Sequence, residues 1–248
     1  MLKIRFVFLF LIVIALSLTG CAETLHFLQD EGNLAKNAVP RNEKQQQDAS
    51  NQVAPPPEAI PVLVNKSNKL PDNYQPSDLI YPDIPFTFKQ KAEKRQMRAE
   101  AGAAVERLFA GAKKQGVKLL GVSAYRSHDS QAALFNHYVN QDGYEAARKY
   151  SAVPGTSEHE TGLAIDVTGG DGKCAAKDCF EGTQEASWLQ DHAAEYGFII
   201  RYPKGKDKIT GYQYEPWHLR YVGKAVAKEI TNRGITLEEY VHATVVNN

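Results

Sequence analysis

The sequence of 248 residues predicts an α+β fold, a single compact domain in which a small, mainly antiparallel sheet is flanked by helices. Helical and strand-like patterns alternate irregularly over residues 71–248, without the regular βαβ repeat of a parallel sheet. No glycine-rich phosphate loop is present in the sequence, so no nucleotide site is expected. The chain has 29 basic and 29 acidic residues, and this balance provides no overall attraction for nucleic acid.

The clearest helical pattern covers residues 89–115. Seven apolar residues recur there at the spacing of one helix face: Met97, Ala101, Ala104, Val105, Leu108, Phe109 and Ala112. We expect this stripe to pack in the core and Gly116 to end the helix. A strand over residues 117–124 is predicted to follow, leading to Arg126.

The remaining elements are predicted from shorter patterns. Helices are expected over residues 129–138, 144–150, 185–196 and 224–232, and strands over residues 198–202 and 217–222. Thr236 and Glu239 have the spacing of a capping box, which predicts the start of a last helix.

The N-terminal residues predict export. Lys3 and Arg5 precede an apolar run over residues 6–18, a pattern typical of a secretory signal, here residues 1–20. The run is too short to span the roughly 30 Å core of a bilayer comfortably. The sequence Leu-Thr-Gly before Cys21 resembles the lipobox of bacterial lipoproteins, which implies a lipid on Cys21 and a location on the outer face of the cell membrane. An ordinary signal peptide or an uncleaved anchor are the alternatives, and both also export the domain.

Residues 21–70 are predicted to form a disordered tether between this anchor and the domain. The segment contains runs of three glutamines and three prolines among scattered polar residues, and offers little apolar surface to offset the entropy of ordering. Its expected role is reach, which lets a domain held at the membrane sample the cell wall.

The candidate catalytic and metal-binding residues form a spaced set of polar side chains. It consists of Ser157-x-His159-x-x-Gly162-x-Ala164-x-Asp166 and, about fifty residues later in the chain, Glu215-Pro216-Trp217-His218. His, Asp and His are suitable ligands for one Zn²⁺, and three protein ligands leave a fourth position open, as in catalytic zinc sites. Taken singly, each residue has a simpler interpretation as a surface, capping or packing residue. The joint pattern favours a zinc hydrolase in which Glu215 is the base.

The spacing also predicts how the site is built. Residues 162–167 have the two-residue period of a strand, with Leu163 facing the core and Asp166 on the other face. Pro216 blocks a helix, so an HExxH helix is excluded and the site is expected in a cleft on the sheet. Glu215 and His218 would lie on opposite faces of a regular strand. We therefore predict a kink or bulge near Pro216.

These motifs resemble those of the VanY-type D-alanyl-D-alanine carboxypeptidases and the similar L,D-carboxypeptidases of bacterial cell walls. The resemblance covers residues 75–245 and includes further matches at residues 125–127, 131, 151–155, 201–203 and 210–212. It implies that His159, Asp166 and His218 hold the zinc and that Glu215 is the general base. It also places Arg126 in the substrate site. Weaker candidates for substrate hydrogen bonds, carried mainly by the resemblance, are Gln131, Ser151, Ser157 and Tyr202.

Arg126 has two functional interpretations that the sequence leaves open. Its guanidinium could bind the free C-terminal carboxylate of a stem peptide, or it could stabilise the developing oxyanion. A surface salt bridge is the simpler alternative.

The favoured function is removal of the terminal D-alanine from peptidoglycan stem peptides by a monomeric zinc carboxypeptidase. L,D-cleavage of tetrapeptide stems and an endopeptidase acting on cross-links are alternatives within the hydrolases. A catalytically silent, zinc-stabilised wall-binding lipoprotein is an alternative from another class. Glu215 argues against it, because a structural zinc site does not need an unligated base.

Two cysteines remain once Cys21 is assigned to lipid. Cys174 and Cys179 lie in a polar loop after Asp166 of an exported protein, and a local disulfide that stiffens one wall of the cleft is expected. A second metal site is the weaker alternative, because no histidine is near.

Overall fold

The computed structural model describes residues 59–246. The predicted signal peptide, Cys21 and residues 21–58 of the predicted tether lie outside the described residues. Within residues 59–246, no helix is both long enough and apolar enough to cross a bilayer.

The described chain confirms the predicted α+β architecture. A two-stranded antiparallel ribbon pairs β1 with β2, and a four-stranded antiparallel sheet has the order β3-β4-β6-β5. The strands are β1 (Leu79–Ile80), β2 (Met97–Arg98), β3 (Leu119–Ser123), β4 (Ala164–Gly169), β5 (Phe198–Ile200) and β6 (His218–Tyr221). The helices are α1 (Ala99–Lys114), α2 (His128–Asp142), α3 (Tyr144–Tyr150), α4 (Gln184–His192), α5 (Asp207–Thr210), α6 (Lys224–Arg233) and α7 (Leu237–Val246).

Helix α1 carries six of the seven residues of the predicted core stripe but starts later than the pattern suggested. All seven apolar residues of the stripe are buried. The helix begins at Ala99 rather than near residue 89, because Met97 and Arg98 pair with β1 and the Ala99 amide donates to the Asp78 carbonyl. Residues 93–95 form a separate 3₁₀ turn. The backbone before Ala99 is therefore engaged in the ribbon.

Capping hydrogen bonds and 3₁₀ turns mark the ends of other helices. The Ser127 hydroxyl caps α2 by accepting from the Ser130 amide, and the helix continues to Asp142, beyond the predicted residue 138. The predicted capping box is present at α7, where Thr236 and Glu239 exchange hydrogen bonds of 2.8 and 3.1 Å. The helix expected over residues 185–196 is α4 followed by a 3₁₀ turn at Ala193–Tyr196.

The main core lies between α1 and the four-stranded sheet. It includes the buried residues of α1, together with Ile165 and Leu219 of the central strands and Leu163 directly before β4, all three fully buried. A smaller apolar cluster, with Ile199 and Ile230, lies between β5 and α6. The two clusters fix the central strands from which the candidate site is built.

Residues 59–70, here called the strap, correct the predicted tether boundary. Val62, Val64 and Leu70 are buried in the main core, and the Leu70 amide donates to the Gly155 carbonyl. Asn65 donates to Glu238 across 173 residues of sequence. The strap is therefore part of the domain, because its alternate apolar side chains pack against the sheet and helices.

Leu70→Ala tests this boundary. We expect the substitution to lower the free energy of unfolding by about 2–5 kcal/mol, because it removes a fully packed side chain. Ser67→Ala, at an exposed position of the same strap, should change it by less than about 0.5 kcal/mol. Urea denaturation of the two variants measures both values. Equal and negligible effects would mean that the strap is an unattached tether.

Candidate metal centre

The sheet register brings two of the predicted ligands together. Asp166 on β4 lies directly opposite His218 on β6, and cross-strand neighbours of this kind have adjacent side chains. The distance from His218 Nδ1 to Asp166 Oδ1 is 3.0 Å. Residues 52 positions apart in sequence therefore meet through antiparallel pairing alone.

The third predicted ligand, His159, comes from a 3₁₀ turn at Glu158–Thr161 that precedes β4. Gly162 ends this turn with φ of 67°, and a Cβ at this position would lie 2.9 Å from a Leu79 methyl group. Glycine is thus required for both its conformation and its small size. The turn places His159 Nε2 3.4 Å from Asp166 Oδ2.

The three side chains form a cluster that can bind a metal ion. One ligand atom from each of His159, Asp166 and His218 lies within 4.8 Å of the others, and all three residues are buried. His159 donates from Nδ1 to the Ala124 carbonyl over 2.7 Å, which leaves the Nε2 lone pair facing the cluster. Two imidazoles and one carboxylate fit zinc with an open coordination position.

The pKa values of the three cluster residues are set by burial and by one another's charges. Burial lowers the pKa of His159 and favours the neutral imidazole that binds metals. Although burial opposes it, His159 and His218 hold the pKa of Asp166 well below its usual range. The hydrogen bonds to Asp166 and Glu158 outweigh burial at His218 and raise its pKa to about 10. A bound cation therefore has to displace a proton from His218.

Glu215 lies beside the cluster but outside it. Strand β6 begins only at His218, and residues 215–218 form a turn in which the His218 amide donates to the Glu215 carbonyl over 3.1 Å. This turn is the backbone irregularity that Pro216 predicted. It brings Glu215 and His218 to the same cleft, although they would face opposite ways on a regular strand.

The Glu215 carboxyl group has the character of a proton acceptor. Within residues 59–246 its carboxylate has no hydrogen-bond partner in the structure. Burial, reinforced by the Asp166 carboxylate and opposed by His218, raises the pKa of Glu215 to about 7. A divalent cation at the cluster would lower this pKa again.

A cleft with a cavity volume of about 320 Å³ surrounds the cluster and Glu215. Arg126, Ser151, Ser157 and Tyr202 line it, and their contacts with substrate stay a prediction. Gln131 does not line the cleft in this structure, and its contact with substrate stays a prediction. It is buried behind the wall, where its amide donates to the Ala152 carbonyl and its oxygen accepts from Arg126.

Arg126 is held in a fixed direction in the cleft. It donates to Gln131 Oε1 over 2.8 Å and to the Ser123 hydroxyl over 3.3 Å, and its own backbone amide donates to the His159 carbonyl. Burial lowers the pKa of Arg126, and the nearby Asp166 carboxylate opposes that change. The guanidinium is thus braced by the protein rather than paired in a surface salt bridge.

The loop after β4 forms part of the cleft wall. Cys174 and Cys179 are joined by a disulfide, with their Cα atoms 5.6 Å apart. Ala176 and Asp178 in the same segment line the cleft. The bridge thus restrains the short segment that supplies this part of the cleft wall.

Sequence reasoning missed a group of buried charged residues behind the cluster. These are Glu158, Arg201, Arg220 and Glu238, none more than 5% exposed. Arg220 could have been noticed, because it alternates with Leu219 and Tyr221 in the predicted strand and so shares the face of His218. Glu158 lies inside the quoted motif, but its neighbours in sequence do not reveal its partners.

Comparison with known proteins identifies the family of this chain. Residues 94–224 match the family model VanY, described as D-alanyl-D-alanine carboxypeptidase. A putative carboxypeptidase, YodJ of Bacillus subtilis (strain 168), is 50% identical over 184 residues, which cover 74% of this chain and 67% of the relative.

The chain is also similar to solved structures of carboxypeptidases. The LdcB LD-carboxypeptidase structure is 49% identical, with a TM-score of 0.73, and the match covers 75% of this chain and 87% of that one. A zinc complex of the vancomycin resistance D,D-pentapeptidase VanY is 31% identical, with a TM-score of 0.60 and coverage of 73% and 98%. The chain therefore belongs to the VanY family of carboxypeptidases.

Proposed function

We propose that this chain is a zinc-dependent carboxypeptidase that removes the C-terminal D-alanine from peptidoglycan stem peptides. The observation that carries the proposal is the buried cluster of His159, Asp166 and His218 next to an unligated Glu215 in one cleft. Two relatives support the proposal. A similar VanY structure holds Zn(II), and LdcB is an LD-carboxypeptidase.

The residues of the cleft divide the chemistry between them. Zinc held by His159, Asp166 and His218 would supply a Lewis acid and activate water for hydrolysis. Glu215 accepts the proton of the attacking water and passes it to the leaving amine. A carboxylate poised beside the cluster, without a hydrogen-bond partner of its own among the described residues, is free to make both transfers.

Arg126 explains why the enzyme would act at a chain end. A guanidinium donates in a fork to carboxylates, and Gln131 and Ser123 hold this one in the cleft. We assign it to the free C-terminal carboxylate of the stem peptide. Ser151, Ser157 and Tyr202 line the same cleft, and we assign them to hydrogen bonds with the peptide itself.

Cleavage of tetrapeptide stems, an L,D-activity, is the second candidate. It is favoured by the greater similarity to LdcB than to the VanY D,D-pentapeptidase. The zinc-loaded chain should be incubated with tri-, tetra- and pentapeptide stems and the products identified by mass spectrometry. Loss of one alanine from the pentapeptide supports D,D-cleavage, and loss of one from the tetrapeptide supports L,D-cleavage. Cleavage of neither would contradict the proposal.

We also propose a lipid anchor at Cys21, which would hold the enzyme on the outer face of the cell membrane. Cys21→Ala in the full chain should move the protein from the membrane fraction to the soluble or secreted fraction of bacterial cells. Immunoblotting of the fractions measures this. Retention of the variant in the membrane would instead favour an uncleaved N-terminal segment as the anchor.

A further inference from the structure

Glu158 is the centre of a buried ionic network directly behind the candidate metal centre. Its side chain has no solvent exposure. The carboxylate oxygen Oε1 accepts from Arg201 Nε over 2.7 Å and from Arg220 Nη1 over 2.5 Å. The other oxygen, Oε2, lies 3.3 Å from Nε2 of His218.

The two arginines tie Glu158 to distant parts of the chain. Arg201 forks onto Glu238 of α7 with distances of 2.7 and 2.9 Å. Arg220 donates to the carbonyls of Ile60 and Val62 in the strap. Two carboxylates and two guanidinium groups balance in charge, so the network can remain buried without an unpaired ion.

Attachment of the strap and α7 explains most of this network but not the contact with His218. Two arginines share one oxygen of Glu158, and the second oxygen faces the imidazole. An anchoring carboxylate would be satisfied by the arginines alone. The contact of Oε2 therefore concerns His218 and not the attachment of the strap or α7.

The contact between Glu158 and His218 bears on which ring nitrogen of His218 carries a proton. The Glu158 carboxylate accepts the N–H of Nε2, and Nδ1 donates to Asp166 over 3.0 Å. A bound cation would displace the Nδ1 proton, and this leaves the Nδ1 lone pair for the metal. His159 is oriented in the opposite sense, with Nδ1 donating to the Ala124 carbonyl and Nε2 facing the cluster. Each imidazole thus has its own acceptor, and only His218 has a charged one.

We propose that Glu158 is a positioning residue for the metal centre, which fixes the Nε2–H form of His218 so that Nδ1 binds the metal. Arg201 and Arg220 hold Glu158 in place and link it to α7 and the strap. The inference rests on the proposed zinc site. A second partner of this kind orients a ligand and raises its basicity, and its loss typically weakens metal binding about 10–100-fold.

Glu158→Gln tests the proposal with nearly unchanged shape. An amide nitrogen turned to His218 would require Nε2 to accept and Nδ1 to carry the proton, which blocks the ligand atom. An amide oxygen turned to His218 would place the NH₂ group against two guanidinium donors. Competition with a chromogenic chelator on the full chain should therefore show a zinc dissociation constant raised about 10–100-fold.

Glu160→Gln is the matched control. Glu160 is as buried as Glu158 and lies on the same 3₁₀ turn, but its carboxylate bonds the Gly155 amide and His128 rather than a cluster residue. Its zinc dissociation constant should stay within about threefold of the wild-type value, a change well below the loss typical of a ligand-orienting partner. Equal weakening in both variants would indicate a general loss of structure and would overturn the assignment to Glu158.

Nitrogen-15 NMR of the zinc-loaded wild-type chain supplies a readout that needs no substitution, and it decides the question even where E158Q does not fold. We expect the proton of the His218 ring on Nε2 and the metal on Nδ1. A proton on Nδ1, or a wild-type zinc affinity in E158Q, would overturn the role of Glu158. Failure of the wild-type chain to bind zinc would instead overturn the proposed metal centre itself.

Discussion

Replacing Glu215 with glutamine is expected to lower kcat on the cleaved stem peptide by about 10²–10⁴-fold, the contribution typical of a general base. The amide keeps the shape of the side chain but cannot accept the proton of the attacking water. Zinc content should remain at one ion per chain, because Glu215 lies outside the cluster of His159, Asp166 and His218. Steady-state kinetics and metal analysis of the same sample measure the two quantities.

Glu181→Gln is a suitable control for this experiment. Glu181 is an exposed glutamate paired with Lys204 and does not line the cleft, so its loss should leave kcat unchanged. Retention of more than a tenth of the activity in E215Q would contradict the assignment of the base. Loss of zinc in that variant would show that Glu215 is a ligand instead.

Replacing Asp166 with asparagine is expected to weaken zinc binding by more than about 100-fold, since partners that only orient ligands already account for 10–100-fold. The substitution removes the negative charge that lies against both imidazoles, at 3.0 and 3.4 Å. Activity should disappear at limiting zinc and return in part when zinc is added in excess. Chelator competition and kinetics across a zinc titration measure the loss.

Asp171→Asn is the control for the Asp166→Asn experiment. Asp171 is an exposed aspartate shortly after β4 whose partner is Lys173, and its change to asparagine should alter neither zinc affinity nor activity. A wild-type zinc affinity in D166N would mean that the carboxylate is not a ligand. The open His–Asp–His site would then have to be abandoned.

The convergence of the site could be predicted because each step depends on local pattern. The alternation around Asp166 and around His218 defines two strands whose polar residues share a face, and antiparallel pairing then makes them neighbours. Gly162 signals the turn that carries His159, and Pro216 signals the turn that carries Glu215. Short-range chemistry was therefore sufficient to name the cluster and the acid beside it.

The parts that sequence reasoning missed depend on contacts between distant segments. Val62 and Val64 lie in a short apolar run over residues 59–64, and Leu70 follows five polar residues. The segment has no pattern of a regular element, and only its packing shows that it belongs to the core. Gln131 has the same chemistry whether it contacts substrate or braces Arg126, so its place behind the wall had no sequence signal.

Helix α1 starts later than predicted because Met97 fits both a helical and a strand pattern. Met97 fits the helical stripe and is also the buried residue of a two-residue strand, and only the pairing with β1 distinguishes the two. The network around Glu158 is a similar case, because its partners lie 43 to 62 positions further along the chain. Sequence spacing carries no information about contacts at that separation when no alternating pattern spans them.

Anomalous scattering at the zinc absorption edge, from crystals of the zinc-loaded chain, tests the metal centre most directly. We predict one peak, about 2.0–2.2 Å from His159 Nε2, an Asp166 oxygen and His218 Nδ1, with the Glu215 carboxylate nearby but not bonded to the ion. A zinc peak elsewhere in an active enzyme, or one coordinated through Nε2 of His218, would contradict the structure of the site described above.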